Sequence, residues 1–246
     1  MTGLNRPLRI CMATRGLPMH RLGGLEFHAF DLANALADLG HNITVVTTTL
    51  PTPARFSPEN NRPNIRIVPI PDTNPSDYSA RFWKELPDTI EKLDSEERFD
   101  VIHCQEFAGL FLRRFAGRTV HTIHGTMFTE TPLYRKHWQR LKWKNRIAAL
   151  WAFKHRIVLY PFFPKMLRRA DFLICDSDFT RRELLLESPS LRTKISAVSL
   201  GLDWSRYDFS GTAATRSQNA PLQIGMLGRL QEMKGCLLYT SPSPRD

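Results

Sequence analysis

Three polar side chains stand where predicted strands end, which is where open α/β sheets bind their ligands. His124 ends the predicted strand at 119–124, His103 lies near the end of an earlier strand, and Ser177 follows a later one. An imidazole placed there can hydrogen-bond a sugar or phosphate oxygen, and it titrates near neutrality. The alternative for a histidine is burial inside a strand, which suits His121 better. Ser177 is equally suited to capping the helix that follows it.

Gly23 and Gly24 form a second candidate site. They lie between a short apolar run and a helical pattern, so that the free N–H groups of a helix N-terminus lie beside them. This arrangement favours an anion such as phosphate, although the G-x-G-x-x-G fingerprint of dinucleotide-binding proteins is missing. The alternative is a turn that only needs positive φ, which two glycines also satisfy. Composition alone leaves both interpretations open.

Arg229 and Lys234 are candidate phosphate ligands. Arg229 directly follows a predicted strand and Gly228, and Lys234 comes shortly after it. A guanidinium offers phosphate a planar fork of donors, and an ammonium offers a compact charge. The alternative is a pair of solvated surface cations.

The basic segment, residues 131–170, carries eleven lysines and arginines and no acidic residue, against a net charge of +10 for the whole chain. Contact with an acceptor or an anionic membrane surface is the favoured interpretation, because cations and aromatic rings together suit such a surface. Solvent-facing cations over an aromatic core come second, and nucleic acid comes third. The candidate surface cations are Arg135, Lys136, Arg140 and Lys142.

A βαβ unit must position the two glycines. Residues 8–13 predict a buried strand, and residues 43–49, largely β-branched, predict another. Between them, apolar residues spaced four and three apart predict a helix that ends at Gly40, where a left-handed C-cap belongs. Its predicted apolar face consists of Leu25, Ala29, Leu32, Leu36 and Leu39.

The remaining pattern alternates strands and helices, which is typical of a parallel sheet with helices on both faces. Further strands are predicted at 64–70, 100–105, 119–124, 171–175 and 194–200, and helices at 78–93, 107–115 and 178–187. We expect Pro87 to break or restart the helix at 78–93, and Pro161 and Pro164 to interrupt helices of the basic segment. The predicted fold class is α/β, with a Rossmann-like sheet.

Residues 1–203 are expected to form this domain. The polar, aperiodic stretch 204–221 is interpreted as a linker. Residues 222–227 restart the strand pattern, so that 222–235 are expected to begin a second domain. Residues 236–246 are rich in serine and proline and are interpreted as a non-native or truncated tail.

Composition excludes several classes of protein. Of the four cysteines, three lie in predicted strands and none forms a C-x-x-C pair, which favours buried reduced thiols over a zinc site. The sequence shows no apolar leader and no apolar run near the roughly 20 residues of a membrane span. A cytoplasmic protein is expected, and the basic segment suggests a peripheral position at the inner membrane face.

The stretch GGLEFHAFDLANALADLGHNITVVTT resembles the opening of glycosyltransferase family 4. FDVIHCQ, TVHTIHGT, ADFLICDSDFTRREL and GRLQEMKG resemble its later motifs in the same order, so that the resemblance runs from about residue 9 to 235. It implies the GT-B fold, with this domain as the acceptor-binding half. It also implies a retaining transferase that takes its sugar from a nucleotide diphosphate donor.

The resemblance assigns roles to individual residues. His124 matches the position that contacts the transferred sugar, which makes it the expected catalytic residue. Arg229 and Lys234 match the pair that holds the donor diphosphate, so that neither a metal ion nor another cofactor is implied. The remaining candidate contacts are Gly23, Gly24, His103 and Ser177.

The sequence departs from the family pattern in two places. Leu200 replaces the usual asparagine in SLGLD, and the paired glutamates of the family's second domain have no counterpart. We therefore expect the isolated chain to be inactive, because catalysis needs donor and acceptor held together. The expected partners are a nucleotide sugar and a sugar, lipid or glycan acceptor, without nucleic acid. The alternative function is a non-catalytic basic module that binds anionic lipid or glycan surfaces.

We predict that the chain binds vesicles containing anionic lipid and that salt weakens this binding. An anionic partner relieves repulsion within the basic segment, and salt screens exposed charges. Co-sedimentation with anionic and neutral vesicles, at low and high salt, measures the effect. A variant with glutamine at the four candidate surface cations should bind less. Equal binding to both vesicle types, or an unaffected variant, would contradict the prediction.

Overall fold

The computed structural model describes residues 6–52, 62–125, 159 and 161–201. Its strands are β1 (Arg9–Ala13), β2 (Asn42–Thr48), β3 (Ile65–Ile70), β4 (Val101–Gln105), β5 (Arg118–Ile123), β6 (Phe172–Cys175) and β7 (Ile195–Ala197). Its α-helices are α1 (Gly24–Asp38), α2 (Ala80–Glu97), α3 (Phe163–Arg169) and α4 (Asp178–Glu187). Short 3₁₀ turns cover Glu106–Gly109 and Pro189–Thr193. Every strand predicted for the described residues is present.

The strands form one parallel sheet in the order β3-β2-β1-β4-β5-β6-β7. β1 pairs with β2 on one side and β4 on the other, so that Ile10 stands opposite both Ile43 and Val101. The strand order reverses here, and open α/β sheets bind ligands in the crevice outside the carboxyl ends of two such strands. The predicted α/β class with a Rossmann-like sheet is confirmed.

Helices cover both faces of the sheet, as the alternation along β1 shows. Ile10 and Met12 belong to an apolar cluster packed against α1, whereas Cys11 and Ala13 belong to a larger cluster that includes α2 and α3. Side chains of a strand alternate between its faces, so a strand between two helical layers is apolar throughout. Each fully buried large apolar side chain contributes about 1.5–3 kcal/mol to stability.

The buried face of α1 differs from the predicted one. Leu39 is 74% exposed, and the other predicted leucines are only partly buried. The helix lies close to the sheet through its small alanines, which places the leucines at the sides of the contact. The buried residues are Glu26, Ala29, Phe30, Ala33, Asn34 and Ala37. Gly40 ends the helix with φ +87°, which confirms the left-handed C-cap.

The prediction that Pro87 breaks the second helix is wrong, since α2 runs through it without interruption. Ser79 caps the helix, its Oγ accepting the N–H of Phe82 at 3.1 Å. Pro87 removes one backbone hydrogen bond. The packing of one apolar face offsets this loss, and its buried members are Phe82, Trp83, Leu86, Ile90 and Leu93.

The helix predicted at 107–115 is replaced by the short 3₁₀ turn that follows β4. The indole N–H of Trp83 donates to the Phe107 carbonyl at 2.9 Å, and the N–H of Leu110 donates to the same oxygen at 3.1 Å, which is the i to i+3 pattern of a 3₁₀ turn. Pro164 lies in the first turn of α3, where no N–H is required of it, and residues 161–162 form a turn before that helix. The helices expected earlier in the basic segment fall on residues that the structure does not describe.

The outer strands of the described sheet limit further pairing in different ways. β3 carries Pro69, which stands in register with Thr47 and has no N–H to donate. β7 has only three residues. Few unpaired backbone groups therefore remain along either edge.

Several sequence predictions fall on residues that the structure does not describe. These are the linker at 204–221, the second-domain start at 222–235, the tail at 236–246 and most of the basic segment. The site residues among them are Arg135, Lys136, Arg140, Lys142, Arg229 and Lys234. Within the described part of the chain, no helix is both long and apolar enough to cross a membrane.

We predict that Gly40→Ala lowers the free energy of unfolding by about 1 kcal/mol, because an L side chain is strained at positive φ. Gly24→Ala is the matched control: its φ is not positive, and an added Cβ would meet nothing within 4 Å. Urea unfolding measures both variants. Equal losses in the two would show that backbone strain is not the cause.

Candidate functional site

His124 lies at the carboxyl edge of the sheet between residues from neighbouring strands. Its Nε2 is 3.1 Å from Oε1 of Gln105, the last residue of β4. Its Nδ1 is 3.6 Å from a carboxylate oxygen of Asp176, which follows β6. The ring of His28 in α1 meets it edge-on, with centroids 4.8 Å apart. The parallel register thus gathers four polar side chains from four elements.

The surroundings keep His124 neutral. Burial and the nearby His28 lower its pKa to about 4, against the opposing effect of Asp176. Its side chain remains 13% exposed. The Asp176 contact is slightly longer than a hydrogen bond. A neutral imidazole in this position can orient a hydroxyl but carries no charge of its own.

His103 and Ser177 have partners within the fold. His103 is buried, and its Nε2 lies 2.7 Å from the Thr122 hydroxyl. Burial, with His28 and His124 nearby, lowers its pKa to about 4. Ser177 caps α4 by accepting the N–H of Thr180 at 3.2 Å. A substrate contact by either residue stays a prediction.

The glycine pair does not serve a turn that needs positive φ, because neither residue has one. Gly23 is extended, with φ −164°, and a Cβ there would collide with the Glu26 carboxylate. Gly24 is exposed at the N-terminus of α1, and a Cβ there would touch nothing. Packing against Glu26 therefore explains the glycine at 23. At 24 the lack of a side chain only leaves the backbone N–H groups of the helix N-terminus uncovered.

Arg15, just beyond β1, is a candidate that the sequence analysis missed. Its guanidinium lies 5.3 Å from the centre of the Tyr78 ring and 3.8 Å from the buried carboxylate of Glu26. Its Nε is buried and has no hydrogen-bond partner among the described residues. The Tyr78 hydroxyl donates to the backbone carbonyl of Gln105 at 3.0 Å, which connects Arg15 to the strand end beside His124.

The ends of the predicted strands point to more residues of this site than the sequence analysis named. Arg15, Gln105 and Asp176 all stand at or just after a predicted strand, as His124 does. His28 offers no such signal, since it is a helix residue whose position depends on how α1 packs. Within the described residues no cluster of three or more histidines, cysteines or acids could hold a metal ion.

We predict that the free energy of unfolding decreases as the pH falls from about 6.5 to about 4. The pKa is lowered to about 4 for His103 and His124 and to about 3 for His121, mainly by burial. Unfolded histidines titrate near about 6.5, so the unfolded chain binds more protons in this window. Each of these histidines then lowers the free energy of unfolding by up to about 1.4 kcal/mol per pH unit.

Urea unfolding followed from neutral pH downwards measures this dependence. His121→Phe removes one of the three groups and should make the decline shallower. A variant with the same slope as the wild type would contradict the assignment.

Residues 22–206 match the family described as Glycosyltransferase Family 4. The phosphatidylinositol N-acetylglucosaminyltransferase GPI3 subunit of Saccharomyces cerevisiae (strain RM11-1a) is 24% identical over 233 residues, 92% of this chain and 47% of that protein. The same subunit of strain YJM789 is 23% identical over the same lengths. The chain thus spans about half the length of the curated relatives it matches.

A solved structure shows the same fold. Sucrose-phosphate synthase from Thermosynechococcus elongatus superposes with a TM-score of 0.52 and 14% identity, covering 80% of this chain and 49% of that one. A glycosyltransferase from Rickettsia africae ESF-5 gives a TM-score of 0.49 and 14% identity, covering 97% and 51%. The likeness to the synthase shows a GT-B fold. Because the family match covers more than half of its residues, the chain belongs to glycosyltransferase family 4.

Proposed function

We propose that this domain is the acceptor-binding half of a retaining glycosyltransferase, which moves a sugar from a nucleotide diphosphate to an acceptor hydroxyl. The observation that carries the proposal is the position of His124 at the carboxyl edge of the sheet, held between Gln105 and Asp176. Family membership supplies the class of reaction. The strand reversal beside β1 supplies the crevice in which a ligand would lie.

His124 would orient a hydroxyl of the transferred sugar. Its pKa of about 4 makes it neutral at physiological pH, so it acts by hydrogen bonding and not as a fixed cation. Gln105 and Asp176 limit the rotation of the ring. This fixed orientation contributes to catalysis because positioning removes entropy from the reacting pair before the reaction begins.

Arg15 and the N-terminus of α1 would receive a phosphate of the substrate. Glu26 offsets part of the charge of Arg15, yet the Arg15 Nε remains without a partner among the described residues. The open position at Gly24 allows an anion to approach the helix N–H groups. Together these donors suit a phosphate that lies beside the sugar held by His124.

The names of the yeast relatives narrow the ligands to be tested. They describe a subunit of a phosphatidylinositol N-acetylglucosaminyltransferase. We therefore include a nucleotide-linked N-acetylglucosamine and an inositol phospholipid headgroup among the candidates. Both carry phosphate, which matches the donors around Arg15.

We predict that the purified chain binds at least one member of a panel containing UDP-N-acetylglucosamine, UDP-glucose, GDP-mannose and glycerophosphoinositol. Saturation-transfer difference NMR measures binding. His124→Ala should weaken it by about tenfold, the loss of roughly one hydrogen bond. Arg15→Gln should also weaken the binding of these ligands. The same change should leave the binding of a neutral sugar unaffected.

His41→Ala is the matched control, because His41 precedes β2 and lies at the opposite edge of the sheet. It should bind like the wild type. Binding that is equal in the wild type and in His124→Ala would contradict the proposal. A chain that binds no panel member, yet binds anionic vesicles, would favour the non-catalytic basic module.

A further inference from the structure

A cavity of about 310 Å³ lies beside β5, between α3 and the segment that follows β4. It is distant from the crevice described above. Thr119, near the start of β5, lines the cavity, whereas His124 follows the other end of that strand. The rise of a strand separates these two residues by roughly 16 Å. The cavity is therefore a separate feature of the fold.

The charged residues of the wall are Arg113, Arg114, Arg169 and Asp171. Arg113 is already neutralised, because it pairs with Asp88 at 2.9 Å and Glu91 at 2.8 Å. The Asp171 carboxylate already accepts a hydrogen bond within the fold, from the backbone N–H of Thr119 at 2.8 Å.

Arg114 and Arg169 remain. Neither has an ion-pair partner among the residues that the structure describes. Two guanidinium groups thus line one small cavity, and the acid of its described wall, Asp171, pairs with Arg118 at 3.8 Å instead. Both side chains are exposed, and each guanidinium offers an anion several donors in a planar fork.

A second observation in the same wall also calls for a ligand. His121 is only 2% exposed and lines the cavity, and its Nδ1 has no hydrogen-bond partner in the part of the chain that the structure describes. Buried polar atoms in proteins nearly always have a partner, so an orphan nitrogen beside a cavity needs an explanation. Its ring packs where a Cβ at Gly109 would stand, which fixes its position. At neutral pH the ring is uncharged, because burial lowers its pKa to about 3.

The rest of the wall sets the size and the polarity of the ligand. Apolar side chains form a floor that suits the carbon skeleton of a small molecule, namely Leu110, Leu112, Phe115 and Met166. The volume is at the lower limit of typical ligand pockets. A large cofactor is therefore too big, whereas a molecule of a few carbon atoms fits.

We propose that this cavity binds a small organic phosphate monoester, with its phosphate between Arg114 and Arg169 and a hydroxyl at the Nδ1 of His121. A phosphate monoester carries about −1.5 to −2 charges at neutral pH, which balances the two unpaired arginines. A single carboxylate would leave one of them unbalanced. This site is independent of the crevice at the carboxyl edge and of the transfer reaction proposed for it.

The test uses the purified chain with glycerol 3-phosphate and with inorganic phosphate as probes. Glycerol and potassium chloride at matched ionic strength serve as controls. The midpoint of thermal unfolding and ³¹P NMR line broadening report binding, since a ligand that binds only the folded state stabilises it. We expect both phosphates to raise the midpoint and glycerol 3-phosphate to bind more tightly.

The double variant Arg114→Gln/Arg169→Gln should bind both probes at least about tenfold more weakly. The double variant Arg81→Gln/Arg182→Gln removes the same charge from residues that do not line the cavity and should bind like the wild type. His121→Phe should weaken the binding of glycerol 3-phosphate but not the binding of inorganic phosphate. Circular dichroism checks that each variant is folded.

Equal losses in the two double variants would mean that phosphate responds to net charge and would overturn the proposal. Binding of neither probe by the wild type would overturn it as well. If the first double variant is unstable, Arg114→Lys and Arg169→Lys replace it, and each should weaken binding because the planar fork is lost.

Discussion

The pairing of β1 with both β2 and β4 is the constraint on which the rest of the structure depends. Because all pairs are parallel, each strand ends at the same edge, and each connection must return across a face of the sheet. This geometry brings together Arg15, Gln105, His124 and Asp176, which are far apart in the sequence. Burial of apolar side chains on both faces fixes the register, and the register fixes the candidate site.

Polar groups at this edge are held at a cost in free energy. Glu26 is buried in the first turn of α1, where the Ser76 hydroxyl donates to it at 3.0 Å and Arg15 lies close by. The side-chain nitrogen of Gln105 and Nε2 of His28 have no partner among the described residues. Buried polar atoms without partners destabilise the folded state. A ligand that supplied those partners would offset this cost.

Local rules predicted the parts of the fold that depend on local chemistry. Apolar runs located the strands, Gly40 took its left-handed conformation, and Ser177 capped its helix. Failures occurred where tertiary contacts decide. Hydrophobicity predicts that the leucines form the buried face of α1, although the helix approaches the sheet through alanines. In place of the helix at 107–115 the chain forms i to i+3 hydrogen bonds, and the Trp83 indole of α2 donates to the Phe107 carbonyl of that turn. His124 was found as a strand-end residue, whereas its contact with His28 depends on helix packing that no sequence pattern records.

Pro69 has a consequence for the behaviour of the protein at high concentration. Outer strands with a free row of N–H groups invite pairing with a second molecule and start aggregates. Pro69 interrupts that row in β3. At the other side, β7 is merely short, and the exposed Val198 and Leu200 follow it. Among the described strands, β7 is therefore guarded against such pairing by its length alone, whereas β3 is guarded by a proline.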